Sequence, residues 1–535
     1  MRFPLHVLGA LTLLFGLHPR CAGLQVRAYS QALHNRLVSF PGAPIFPQTP
    51  AVNPTFSPAG GLFLGIGWPA HPTDWTRQMA LVSPRHFVYA THYVLGADWQ
   101  IAFLGADGQQ HLYGIESQIP VINNLGQTTD LMVCTLTSEV SAETGIKPFP
   151  VLNLPTEADY LGKEMVVFGS FVRAGKTPLA AFTNLVDDPG FDTTRFAYFD
   201  YDHNGGGADE CDYQGGDSGA PTFIMDGGSP AIIGTASGRD PQGWGGLPLN
   251  ISRNYLAFIP AYLPQVDQLM ENHGYHMKRA RPAATTLLTE TSTPVPLRRM
   301  KPGLVEIRLT NTGSAAAHNV SLGLEVSNAP SSVGGAGVFF NQVSPVKWNT
   351  RRAGLSAASQ SAVTVSWNSL PDASEIHATI VRNHDGGTTQ TLDLTWPLIE
   401  SYASWIQGTS DSAENSDPDH DGVSNLMEYA FGGSPSVNSP TASGGHPLMP
   451  RVEISGGRLW IRHPRRTDAA ARGISYGVEF SNNPAAASWQ EAPPPGTTIE
   501  ASPCTPPSAG FEQVNISVPM DAQRRFARVK VTLAE

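Results

Sequence analysis

Cysteine, charge and long apolar runs are all scarce in this sequence. Only four cysteines occur in 535 residues, and three of them, Cys134, Cys211 and Cys504, lie far apart beyond the first 23 residues. Wide spacing and an odd number do not form a disulfide framework. We therefore expect stability to come from large apolar cores and from bound metal.

The small number and the sign of the charges also limit the classes of molecule that the protein could bind. Charged residues are 15% of the chain and the formal net charge is −11. A chain without a basic surplus has no electrostatic footprint for phosphate, so we expect no nucleic-acid partner. Beyond the N-terminus no apolar run reaches the roughly 20 residues that a membrane-spanning helix requires, so we expect no membrane span.

The N-terminus, MRFPLHVLGALTLLFGLHPRCAG, has the features of a secretory signal peptide. Arg2 supplies the positive start, an apolar run follows from Leu5 to Leu17, and small residues stand at Ala22 and Gly23. Residues 1–23 are therefore predicted to be a signal peptide, and the protein to be secreted or displayed at a bacterial cell surface.

Glycine (53) and proline (45) are abundant and divide the chain into short β-type runs. Such runs fill residues 24–277 and end in one amphipathic helix, AYLPQVDQLMENHG. Later segments differ in composition and predict further units. These are a linker at 278–300, an immunoglobulin-like β-sandwich at 301–397, a calcium-loop segment at 398–440 and a small C-terminal β domain at 441–535.

Three short motifs within residues 24–277 together suggest nucleophilic catalysis. His92 ends the run HFVYATH, Asp130 opens the apolar run TTDLMVCTL, and Ser218 stands in the glycine-rich stretch YQGGDSGAP. A serine hydroxyl needs a base to remove its proton, and the base needs an acid to fix its tautomer. Each residue alone has an ordinary structural explanation, so the hypothesis depends on all three.

These motifs, in this order, resemble those of the trypsin-like serine peptidases. The resemblance covers about the first half of the chain and implies a double β-barrel followed by a C-terminal helix. It implies that His92 is the general base, that Asp130 orients it and that Ser218 is the nucleophile. The N–H groups of Gly216 and Ser218 would form the oxyanion hole, and catalysis would need no cofactor.

The sequence departs from the family pattern near the motifs. Tyr93 and Gln214 stand where extracellular animal members have cysteines, which points to a bacterial-type member. In the family the aspartate before the serine, here Asp217, pairs with a newly cut N-terminus, and no matching start is found in the first seventy residues. Arg85 or His86 is the expected partner instead, because a buried unpaired carboxylate is costly.

Asp212, six residues before Ser218, occupies the place of the family's specificity-pocket residue. A carboxylate there would select Arg or Lys side chains by charge pairing. Because acidic residues cluster around it in ADECD, the alternative is that Asp212 belongs to a solvated loop.

DPDHDGVSNLME, residues 417–428, matches the loop pattern D-x-D-x-D-G-x5-E of a calcium site. The predicted oxygen ligands of a structural Ca²⁺ are Asp417, Asp419, Asp421, the carbonyl of Val423, Asn425 and Glu428. The alternative is the start of an acidic linker helix.

The sequence therefore predicts a mainly β, secreted serine endopeptidase that hydrolyses protein or peptide substrates. A different class stays open, in which the peptidase fold is catalytically inactive and serves adhesion or protein binding. In either case the C-terminal β domains are candidates for binding a cell-surface or extracellular ligand.

Overall fold

The computed structural model describes residues 23–38, 50–72, 74–184, 194–483, 485, 489–491, 493–520 and 526–534. The predicted signal peptide falls almost entirely outside the described residues and stays a prediction. Among the described residues, no helix combines the length and the apolar character that crossing a bilayer requires. Cys134, Cys211 and Cys504 are all buried free thiols.

Residues 24–277, here called the N-terminal half, contain a closed barrel and a second, open sheet. The barrel strands, in spatial order, are Ile66–Pro69, Met79–Ser83, His86–Tyr89, Thr128–Leu136, Gln110–Ile122 and Gln100–Leu104. The strands of the second sheet, in spatial order, are Ala174–Pro178, Glu164–Phe168, Pro221–Asp226, Ser229–Asp240, Ile251–Phe258, Arg195–Asp202 and Ala181–Asn184. This pair of β units agrees with the predicted double barrel, although the second unit is not closed within the described residues.

Short elements complete the N-terminal half. Gln25–Val26 pairs with Cys211–Asp212, and Leu37–Val38 pairs with Ala51–Val52. The predicted closing helix is Leu263–Glu271, with Val266 and Met270 buried. The remaining helices are the α-helix Gln31–His34 and the 3₁₀ turns Gly60–Phe63, Ala142–Thr144, Glu157–Tyr160, Trp244–Gly246 and Ile259–Tyr262.

Two facing sheets follow and share one apolar core, as the predicted sandwich requires. The first contains Leu287–Ser292, Gly303–Asn311, Gln360–Trp367 and Ser332–Gly334. The second contains Phe339–Ser344, Lys347–Leu355, Ala317–Val326, Glu375–Asn383 and Gln390–Pro397.

The segment predicted as a linker, 278–300, is mostly packed. Arg279 pairs with Asp267 of the closing helix, and Arg281 pairs with Asp226. Leu287–Ser292 is an edge strand of the sandwich, hydrogen-bonded along Gly303–Asn311. The predicted linker was therefore too long. The alternating pattern LLTETS stands in a Thr/Pro-rich segment, and this composition is typical of a linker.

The calcium-loop segment shares an apolar core with the C-terminal β region. Its helices are Tyr402–Trp405 and Asn425–Phe431, and a further short helix is Ala469–Arg472. One sheet contains Arg451–Ser455, Arg458–Arg466, Phe511–Pro519 and Thr498–Pro503, and Ile474–Ser481 pairs with Phe526–Leu533. The mainly β fold class is confirmed along the described chain.

Candidate active site

The closed barrel and the second sheet bring His92, Asp130 and Ser218 together. His92 stands three residues after the barrel strand His86–Tyr89, and Asp130 lies in the neighbouring strand Thr128–Leu136. Ser218 lies in the turn before Pro221–Asp226 of the second sheet. The three side chains therefore meet where the two β units face each other.

A continuous line of hydrogen bonds joins these side chains. His92 Nε2 lies 2.8 Å from Ser218 Oγ. On the other side of the ring, Nδ1 lies 2.8 and 2.9 Å from the two carboxylate oxygens of Asp130. These distances let the imidazole bond the serine and the carboxylate at once.

Asp130 is fully buried, yet each of its oxygens is hydrogen-bonded. Besides the imidazole, the main-chain N–H of His92 donates to Oδ1 at 3.1 Å, and the Ser237 hydroxyl donates to Oδ2. The backbone N–H of Asp130 donates to Thr194 Oγ1 at 2.9 Å. A buried carboxylate with this many donors is held in one orientation.

Glycine permits the tight turn that carries Ser218. Gly216 and Gly219 have φ values of 104° and 83°, in the region that L side chains rarely adopt. A Cβ atom at Gly219 would lie 2.1 Å from the ring of Tyr89. Within the described residues, the N–H groups of Gly216 and Ser218 donate to no protein acceptor.

Asp217 has partners other than those expected. Its Oδ1 accepts from the N–H of Ser170 and its Oδ2 from the N–H of Gln214, each at 2.7 Å. The expectation of Arg85 or His86 was wrong: Arg85 pairs with Glu116, and His86 bonds Ser83. Burial raises the pKa of Asp217 to about 6, although the two N–H donors act in the opposite direction.

Asp212 is buried rather than solvated, which excludes the surface-loop alternative. Its carboxylate receives Arg239, with Nε 2.9 Å from Oδ1 and an outer nitrogen 2.7 Å from Oδ2. The Asp212 charge is therefore already paired inside the protein.

A pocket of about 310 Å³ opens beside the serine. Its walls come from two stretches of chain, which contribute Tyr213, Gln214, Gly215, Asp217 and Ser218, and Ala236, Ser237, Gly238, Arg239 and Pro241. A larger cleft of about 980 Å³ lies between the N-terminal half and the sandwich, and it is lined by none of His92, Asp130 and Ser218. Of these two cavities, the smaller pocket is therefore the one that adjoins Ser218.

The predicted calcium loop forms a second, separate cluster. One carboxylate oxygen from each of Asp417, Asp419 and Asp421 lies within 4.8 Å of the others. Gly422 and His420 take φ values of 86° and 61°, which turn the loop back on itself. The Val423 N–H donates to Asp421 Oδ1 at 2.8 Å.

Several buried oxygens in this loop have no hydrogen-bond partner among the described residues. They are both carboxylate oxygens of Glu428, Oδ2 of Asp419 and Oδ1 of Asn425. Burial and the nearby Asp419, Asp421 and Asp417 raise the pKa of Glu428 to about 8. Unsatisfied carboxylate and amide oxygens facing acidic neighbours suit a hard cation, so the residues present fit Ca²⁺.

Sequence reasoning missed Ser237, Thr194, Ser170 and Arg239. Each of them holds an acidic residue of the site that is far away in the chain, and none stands in a recognisable local motif. Only the order of strands in the second sheet places them beside the triad and the pocket.

No protein-family model and no curated protein matches this chain. Among solved structures it is similar to the secreted serine protease VesC from Vibrio cholerae, at 10% sequence identity and a TM-score of 0.27. The match covers 88% of this chain and 97% of that one. A likeness of this size does not indicate a function.

Proposed function

We propose that this protein is a secreted serine endopeptidase that hydrolyses peptide bonds through an acyl-enzyme. The observation that carries the proposal is the hydrogen-bonded line from Asp130 through His92 to Ser218. A hydroxyl bonded to an imidazole whose other nitrogen is held by a buried carboxylate is the arrangement that activates serine.

In the proposed reaction, Ser218 Oγ attacks the carbonyl carbon while its proton moves to His92 Nε2. Asp130 keeps the ring in the required tautomer and stabilises the imidazolium. The N–H groups of Gly216 and Ser218 would receive the developing oxyanion, a contribution of roughly 3–4 kcal/mol per donor. His92 then protonates the leaving amine, and water repeats the sequence on the acyl-enzyme.

Cleavage after Arg or Lys does not form part of this proposal. Charge pairing with a substrate would require the Asp212 carboxylate to be free, whereas Arg239 holds it at two points.

We also propose that residues 417–428 bind a structural Ca²⁺. When bound, the ion would neutralise the clustered carboxylates and bind the unsatisfied oxygens of Glu428 and Asn425. An isolated extracellular loop of this type binds with a dissociation constant of roughly 10⁻⁴–10⁻³ M.

The peptidase proposal is tested by incubating the purified protein with an unfolded protein substrate and identifying the fragments by mass spectrometry. The wild type is expected to produce new peptide termini, and Ser218→Ala to produce none. If neither protein cleaves any substrate while both remain folded, the inactive binding-module alternative replaces this proposal.

A further inference from the structure

The pocket beside Ser218 is where a side chain next to the scissile bond would be held, if the proposed function is correct. Arg239 lines this pocket, and its side chain is 29% exposed. Asp212, the partner of Arg239, is fully buried and is not among the residues that line the pocket. A ligand in the pocket therefore meets the guanidinium before it meets the carboxylate.

The contact between Arg239 and Asp212 fixes both groups. Two nitrogens of the planar guanidinium face the two carboxylate oxygens, the arrangement in which an arginine–carboxylate pair is strongest. Asp212 also accepts from Ser252 Oγ at 3.1 Å and from Gln214 Nε2 at 3.3 Å. A substrate cation would have to displace Arg239 from a carboxylate whose acceptor sites are already filled.

The other polar groups of the pocket are also engaged. The Ser237 hydroxyl donates to Asp130, Asp217 is held by two backbone N–H groups, and the Tyr213 hydroxyl lies 3.2 Å from Thr222 Oγ1. Asp212 neutralises the Arg239 guanidinium and the buried Asp217 adds a further negative charge, so the net charge beside the pocket disfavours an acidic substrate side chain. The remaining walls are uncharged and are formed by Gly215, Ala236, Gly238 and Pro241.

We infer that Arg239 is a specificity-determining residue, because it neutralises the charge of Asp212 from within the protein. The pocket consequently rejects Arg and Lys, disfavours Asp and Glu, and accepts neutral side chains. Removing Arg239 should expose Asp212 and convert the pocket to one that selects basic residues. This inference depends on the proposed peptidase function.

The test compares cleavage of a peptide library, varied at the residue before the scissile bond, by wild type, Arg239→Gly and Arg239→Gly/Asp212→Ser. Wild type should cleave after neutral residues. Arg239→Gly should gain about 10- to 100-fold in kcat/KM for Arg and Lys relative to Ala, the value expected of a charged hydrogen bond. The double variant should lose that gain.

Two controls keep the outcomes distinct. Arg239→Lys keeps the positive charge and should keep rejecting basic substrates, even if Arg239→Gly does not fold. Labelling of Ser218 by a fluorophosphonate reports the active site in each variant independently of specificity. A labelled wild type that prefers Arg, Lys, Asp or Glu overturns this inference alone. A folded, unlabelled wild type overturns the proposed function and this inference with it.

Discussion

Near Ser218, two buried carboxylates are held by different kinds of donor. Asp130 is bonded by the ring of His92, by its backbone N–H and by a hydroxyl. Asp217 is bonded by two backbone N–H groups, from Ser170 and Gln214. The first arrangement orients a side chain, whereas the second ties the Ser218 turn to the loop at Ser170.

His92 is the residue whose loss should affect catalysis most. His92→Ala removes the only base within hydrogen-bonding distance of Ser218 Oγ among the described residues. We expect kcat/KM for peptide hydrolysis to fall by about 10⁶-fold, with the fold retained. His111→Ala is the matched control, because His111 pairs with Asp107 on the barrel surface. Similar activity in the two variants would remove His92 from the mechanism.

Asp217 should make stability depend on pH. Its folded pKa of about 6 lies above the ordinary 3.8, so the folded protein binds the proton more tightly than the unfolded chain. This contribution to stability is present below about pH 4 and is lost as the pH rises to about 6. We expect the wild type to lose about 2–3 kcal/mol over this interval relative to Asp217→Asn, which does not titrate.

The measurement is urea unfolding of both proteins at several pH values between 3.5 and 7, in the Ser218→Ala background to prevent autolysis. Parallel pH profiles would show that Asp217 is not perturbed in this way.

The individual residues also show where sequence reasoning succeeded and where it did not. His92, Asp130 and Ser218 could be identified because each stands in a local motif. Arg239 could not, because 27 positions separate it from Asp212 and only the pairing of strands brings them together. The partners of Asp217 were wrongly predicted for two reasons: Ser170 lies 47 positions away, and Gln214, although close, donates through its backbone N–H rather than its side chain.

Among the elements, the loop 417–428 has the most specific sequence pattern. Its backbone is already turned around Gly422, while Glu428 on the following helix has two buried oxygens with no hydrogen-bond partner in the described part of the chain. The turn at Gly422 could be expected from the complete twelve-residue pattern, because that pattern requires a glycine there, whereas calcium binding stays a prediction.

Calcium should stabilise the C-terminal region. With a dissociation constant of about 10⁻⁴ M, 10 mM Ca²⁺ would add about 2.7 kcal/mol of stability. Calorimetry with Ca²⁺ and with a chelator should show a higher thermal midpoint in Ca²⁺ for the wild type. Glu428→Gln should abolish most of the difference, while Glu414→Gln, an exposed acid just outside the loop, should retain it. No difference in the wild type would contradict a calcium site.

In the whole molecule, the N-terminal half and the sandwich are joined by polar contacts. Arg351 of the sandwich reaches Glu139 at 2.8 Å and the carbonyl of His273 at 2.7 Å, and it stacks on the ring of Tyr275. His276 and His318 face each other across the same junction, with their Nδ1 atoms 2.8 Å apart. This junction could not be predicted from the sequence, because its residues belong to no motif.

Arg351→Ala should weaken the junction by about 1–3 kcal/mol, through loss of an ion pair and a cation–π contact. Calorimetry of the Ser218→Ala protein should then show the N-terminal half and the sandwich unfolding in more widely separated transitions. Arg352→Ala is the control, since the bonds that Arg352 makes to described residues, Gly354, Ala336 and Ser361, all lie within the sandwich. An unchanged profile in Arg351→Ala would show that the two units are not coupled through this residue.

Covalent labelling by a fluorophosphonate is the most direct test of whether Ser218 is an activated nucleophile. We expect stoichiometric labelling, located at Ser218 by mass spectrometry and absent in Ser218→Ala and His92→Ala. A folded wild type that remains unlabelled, with Ca²⁺ present, would contradict it.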